Sequence, residues 1–115
     1  MKRPSTFESL MVSAEQHGLY KDLIRQLNKD LRSANIDLEF NEETLPTSLK
    51  LLLEEAIYQL IHDRFDTYLN LLYIIDVPED EVRKIDGNES HLLASKVTFL
   101  ILKREWQKVW YRKKL

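Results

Sequence analysis

LKLLLEEAIYQLIHDRFDTYLNLLYII, running from Leu49 to Ile75, is the stretch whose reading decides the fold. Leu49, Leu52, Leu53, Ala56, Ile57, Leu60, Ile61, Phe65, Tyr68, Leu69, Leu72 and Tyr73 recur at steps of three and four. That is the spacing of one face of an α-helix, sustained for about seven turns. No glycine or proline interrupts it. The spacing predicts an all-α protein built around one long or gently bent helix from about Thr47 to Ile74. A bend is expected near Asp63–Asp66, where polar residues cross the stripe.

The flanks extend the same reading. Ser5 and Glu8 stand at capping-box spacing, so a first helix is expected to begin near Ser5. Phe7, Leu10, Met11 and Ala14 give it an apolar stripe, and Gly18 falls at a register slip. The stripe resumes at Tyr20, Leu23, Ile24, Leu27 and Leu31, so the chain either bends at Gly18 or divides there into two helices. Ile36 to Phe40 alternates apolar and polar residues, but a single short strand would have no partner. It reads as an extended connection that tucks Ile36, Leu38 and Phe40 against the bundle. Asp76-Val77-Pro78-Glu79 is a stop and restart, with Asp76 as the expected N-cap and Pro78 in the first turn of a short helix. Gly87 is expected to close that helix in the left-handed conformation. Asn88 is expected to cap a final helix reaching about Lys113. Val97 to Leu102 is apolar on nearly all sides and should be buried. The sum is one domain spanning residues 1–115, an all-α bundle of four or five helices with a long central helix.

Composition narrows the function classes. The charged fraction of 31% suits a small bundle with charged outer faces, while 43% apolar residues argue against disorder. Without cysteine, disulfides, thiolate metal sites and cysteine nucleophiles are excluded. Met1-Lys2-Arg3 has no apolar stretch behind it, and no apolar run approaches the ~20 residues of a membrane span. The expected location is the cytoplasm. Residues 103–115 carry six basic side chains against Glu105 alone, a net +5, which leaves −7 on residues 1–102. An acidic body with a basic end is the main electrostatic feature.

No catalytic or cofactor motif emerges, and neither an enzyme nor a cofactor is expected. Di-iron bundles need Glu-x-x-His pairs, but Glu15 and Glu89 each precede a histidine by two residues rather than three. Two isolated glycines cannot cradle a phosphate. Asp76, Glu79, Asp80 and Glu81 lack the ligand alternation of a calcium loop. His62 and Asp66 stand one turn apart and could form a proton-transfer pair, although a solvated surface pair is the simpler reading. Tyr58, Tyr68, Tyr73 and Tyr111 read as core residues with hydroxyls at the boundary.

The candidate contact residues are Lys103, Arg104, Lys108, Arg112, Lys113 and Lys114, interleaved with Trp106, Trp110 and Tyr111. Such a pattern can grip phosphates and stack on bases. The simpler alternative is that the tryptophans pack inward and the basic residues solvate the outer face. The strings Leu69-Asn70-Leu71-Leu72-Tyr73-Ile74-Ile75-Asp76-Val77-Pro78-Glu79 and Leu100-Ile101-Leu102-Lys103-Arg104-Glu105-Trp106-Gln107-Lys108-Val109-Trp110 resemble those of small uncharacterised all-helical bacterial proteins. The resemblance implies a bacterial cytosolic protein and brings no activity or site with it. The function expected is a non-enzymatic interaction or scaffold module that self-associates, since Leu51, Leu71 and Ile74 lie off the main stripe. Nucleic acid or another polyanion bound at the basic end is the alternative, and a small enzyme or ligand-binding bundle using His62 and Asp66 is the third reading.

Overall fold

A computed structural model describes residues 4–114. Six helices follow in order: α1 (Phe7–Gln16), α2 (Tyr20–Ser33), α3 (Pro46–Asp63), α4 (Phe65–Ile75), α5 (Glu79–Arg83) and α6 (Ser90–Lys114). No strand occurs among the described residues. The fold is therefore all-α, as the apolar periodicity implies. The sixth helix arises because the long central helix divides at Arg64, whose backbone sits at φ −144°, ψ 62°. The physical reason is local. His62, Asp63, Arg64, Phe65 and Asp66 are all exposed, so no packing holds the helix straight across this stretch.

Three helices end the same way. Leu19 N–H donates to Ala14 and Gly18 N–H to Glu15; Ile36 donates to Leu31 and Asn35 to Arg32; Val77 donates to Leu72 and Asp76 to Tyr73. Each pair is a Schellman closure, with a left-handed residue at its turn: Gly18 (φ 66°), Asn35 (φ 58°) and Asp76 (φ 70°). Gly18 thus separates α1 from α2. Asp76 closes α4 instead of capping α5, and Pro78 takes the N-cap position of α5. Gly87 does not take the left-handed conformation expected of it. The α1 cap is Thr6 with Ser9, not Ser5 with Glu8: the Thr6 hydroxyl accepts from Ser9 N–H at 3.1 Å, and Ser9 Oγ accepts from Thr6 N–H at 3.2 Å. A shorter serine side chain at the third position does the work of the glutamate.

The connection after α2 has no regular secondary structure, and Leu38 N–H closes a tight turn onto the Ile36 carbonyl at 3.0 Å. Phe40 is buried, and Ile36 and Leu38 pack partly against the core. Asn28 holds it by pairing with the Phe40 backbone, its Oδ1 accepting at 2.8 Å and its Nδ2 donating at 2.9 Å.

α6 is the hub. At 25 residues it is about 37 Å long, matching the 36 Å longest dimension of the molecule. It packs most extensively on α3 and also touches α1, α2 and α4. Its inward stripe is Ala94, Val97, Thr98, Ile101, Leu102, Glu105, Trp106 and Val109. Leu10, Leu23, Leu27, Leu49, Leu53, Ile57, Leu71 and Ile75 close the core around it.

Candidate interaction surface

The basic end of the chain is not the outward-facing charge band that its composition suggests. Lys108 Nζ donates to Asp30 Oδ2 at 2.6 Å and to the Ile75 carbonyl at 3.2 Å. Arg112 donates to Gln26 Oε1 at 2.8 Å, and Gln26 Nε2 donates on to Asp30. Arg104 grips Asp76 twice, its Nε donating to the carbonyl and its Nη2 to the carboxylate, each at 3.0 Å. So Arg104, Lys108 and Arg112 tie α6 to α2 and to the end of α4. Lys103, Lys113 and Lys114 make no ion pair among the described residues, and Lys113 and Lys114 are exposed. Trp106 is wholly buried and Trp110 partly so, in line with inward-packing aromatics.

At the centre of this network stand two buried acids. Asp30 is 5% exposed and Glu105 is 0% exposed. Burial penalises the Asp30 charge, but hydrogen bonds from Glu105, Lys108 and Gln26 outweigh it and hold the carboxyl below its ordinary value. Burial, reinforced by the neighbouring Asp30 carboxylate, pushes Glu105 up to about 9. Burial beside the Asp30 carboxylate thus favours the protonated, neutral form of Glu105 at pH 7. Lys108 Nζ also lies 2.9 Å from Glu105 Oε1, but this is a charge contact without hydrogen-bond geometry. Sequence reasoning missed Asp30 and Glu105. Glu105 falls on the same three-and-four stripe as Ile101, Leu102 and Val109, and an acid at such a position is the signal that could have found it. The pair is sealed from solvent, so it can hold helices together and carry a proton equilibrium, but it offers a substrate no approach.

His62 and Asp66 do not form the proposed couple. They fall on either side of the Arg64 break, and both are exposed. His62 instead lies beside Tyr58, ring centroids 4.4 Å apart, and His91 stacks on Tyr58 at 4.1 Å with planes 6° apart. Among the described residues no three histidine or carboxylate side chains converge as metal ligands. No helix there is long and apolar enough to cross a membrane.

Several large apolar side chains are exposed, among them Leu45, Leu51 and Leu52, and three of them form a row on α4. Phe65, Leu69 and Tyr73 follow one another at four-residue steps and are 52%, 49% and 83% exposed. Tyr73 and Tyr111 are thus not core residues, while Tyr68 is buried. Of the three residues that pointed to an apolar patch, Leu71 is buried, Ile74 packs partly on the core and only Leu51 is exposed. The patch exists, but on a different face. Beside it, Leu69, Leu72, Tyr73, Val77, Pro78 and Val82, together with the charged Asp76, Glu79 and Arg83, line a groove of about 580 Å³ between α4 and α5. No protein family, curated protein or solved structure matches the chain.

Proposed function

We propose that this chain is a non-enzymatic protein-interaction module that works through the α4–α5 face by receiving a helix of another protein. The observation that carries this reading is the row of Phe65, Leu69 and Tyr73, three large apolar side chains exposed at four-residue steps along α4, with Leu69 and Tyr73 lining the groove. Large aromatic side chains bury about 150–250 Å² each when covered, so leaving two of them in water forgoes free energy that a partner recovers. Tyrosine is also among the side chain types enriched at interface hot spots, and Tyr73 stands exposed beside the groove.

Self-association through the same face is the second reading, favoured by the same exposed row. It is opposed by charge. Residues 63–86 hold seven acidic and three basic side chains, a net −4, and pairing two copies brings both sets together.

The experiment compares the native chain with a Leu69→Glu/Tyr73→Glu variant in the cell of origin, by cross-linking and mass spectrometry. Both substituted residues are exposed, so the variant should keep its helical spectrum and melting temperature. The expected result is loss of specific cross-linked partners in the variant. Identical cross-link sets for the two chains defeat the proposal. Sedimentation of the native chain at high micromolar concentration decides whether any partner is a second copy.

A further inference from the structure

We infer that Asp30, Glu105 and Lys108 form a one-proton latch, which holds the second half of α6 on α2 and α4 while Glu105 keeps its proton and releases it progressively as pH rises. Two buried carboxyl groups here share one ammonium: Lys108 Nζ lies 2.6 Å from Asp30 and 2.9 Å from Glu105. No other cation reaches either acid among the described residues, since Arg112 bonds Gln26 and Arg104 bonds Asp76. The surrounding helices bring no further positive charge. α3 turns only Leu49, Leu53, Ile57 and Leu60 to the interior. The α4 end offers the Ile75 carbonyl, an acceptor already taken by Lys108. From α1, His17 packs on the rings of Trp106 and Trp110 and pairs with the Ser13 carbonyl. The cluster is therefore neutral with one proton and holds an unmatched buried negative charge without it, a costly state.

The polar ties divide α6 in two. Its bonds to Asp76, Asp30, Ile75 and Gln26 all start from residues 104–112. Residues 90–103 make no such bond among the described residues and rest on apolar packing through Ala94, Val97, Ile101 and Leu102. Loss of the proton thus loosens the second half, which also ends the chain's last helix. Opening puts Glu105 in water, where its ordinary value is 4.5, against about 9 when docked. Between those values opening releases a proton, so the open fraction grows roughly tenfold per pH unit and levels off above the docked value. Asp30 stays ionised in both states across this window, because its docked value lies below the ordinary 3.8.

Amide hydrogen exchange, resolved by residue with NMR between about pH 5.5 and 8, tests the latch. Exchange is itself hydroxide-catalysed, so an opening that ignores pH gives a log rate that climbs by about one per pH unit, and the latch adds about one more. Amides of residues 106–112 should show the doubled slope and exchange at least roughly tenfold faster than those of residues 97–102. Glu105→Gln should return the slope to about one. So should Asp30→Asn, which leaves Lys108 to serve a single acid, and either variant suffices if the other loses its helical spectrum. A slope of one in the native chain, or a doubled slope that persists in a folded variant, overturns the inference. Equal protection of both halves of α6 also overturns it, since the proton then governs unfolding of the whole bundle and not release of one segment.

Discussion

Glu105→Gln should stabilise this protein at neutral pH, and the size of the gain follows from one proton. In the folded chain Glu105 loses its proton only near pH 9, against an ordinary value of 4.5. Between those two values the folded protein holds a proton that the unfolded chain has released. Stability therefore falls as pH rises across this window, by about 1.4 kcal/mol per pH unit for one proton. At pH 7 the accumulated cost is roughly 3 kcal/mol, a sizeable share of a total that for such domains is about 5–15 kcal/mol. Glutamine is neutral in both states, so it escapes this cost. Its amide nitrogen can donate to the Asp30 carboxylate, and its neutral carbonyl leaves the Lys108–Asp30 bond in place. The variant should gain up to about 3 kcal/mol at pH 7, a rise of roughly 10 °C or more in melting temperature, and should gain almost nothing near pH 4.5. Asp30 acts in the opposite sense. Its folded value is lowered, so its contribution is present above the ordinary 3.8 and is lost as pH falls through the depressed value. The two groups thus act in opposite directions, Asp30 losing its contribution on acidification and Glu105 losing its own as pH rises from 4.5 towards 9. Urea denaturation followed by circular dichroism at pH 4.5, 6, 7 and 8 measures both profiles. Parallel profiles, or a glutamine variant that is less stable at neutral pH, would refute a proton held at Glu105.

Other outcomes test the packing and the caps. Lys108→Met should cost about 3–5 kcal/mol, because it leaves Asp30 charged and buried without its cation; Lys113→Glu/Lys114→Glu should leave the melting temperature nearly unchanged, and similar losses in both would contradict the assigned roles. Trp106→Ala should cost about 3–5 kcal/mol in chemical denaturation. Trp106→Phe should cost much less, since the indole N–H it removes is buried without a partner. Gly18→Ala should cost about 1–2 kcal/mol through its positive φ alone, because an added Cβ there meets no atom within 4 Å.

The helices were legible because periodicity is a local property. Leu49 to Tyr73, the register slip at Gly18 and the tucked Ile36, Leu38 and Phe40 could all be read from residues a few positions apart, though whether Gly18 bends the helix or divides it could not. The Arg64 break was only half legible. Polar residues marked the place, but nothing in an arginine announces a departure from helical backbone. The caps erred by one residue at Ser5 and changed role at Asp76, since serine, threonine and aspartate serve several turn geometries alike. The basic end was misread for a different reason. Lys108 meets Asp30 across 78 positions, and Arg112 meets Gln26 across 86. Charge sign along a helix cannot reveal that a partner waits on another helix. The α4 face was invisible for a related reason: Phe65, Leu69 and Tyr73 belong to the same apolar pattern as the core, and only the fold decides which arc is covered.

The ties from α6 to Asp30, Ile75 and Asp76 also set an order on synthesis. A ribosome delivers α1 to α5 before residues 104–112 emerge, so a nascent chain halted ahead of them lacks the half of α6 that carries Glu105, Trp106, Lys108 and Val109. Asp30 then lacks its cation and the α4 end lacks its clamp. Early helices should stay loosely collapsed and open to proteases or chaperones until α6 is released, whereupon the bundle closes in one cooperative step. Products that stop before residue 104 should therefore be cut faster in limited proteolysis than the full chain, for want of the ties to Asp30, Ile75 and Asp76.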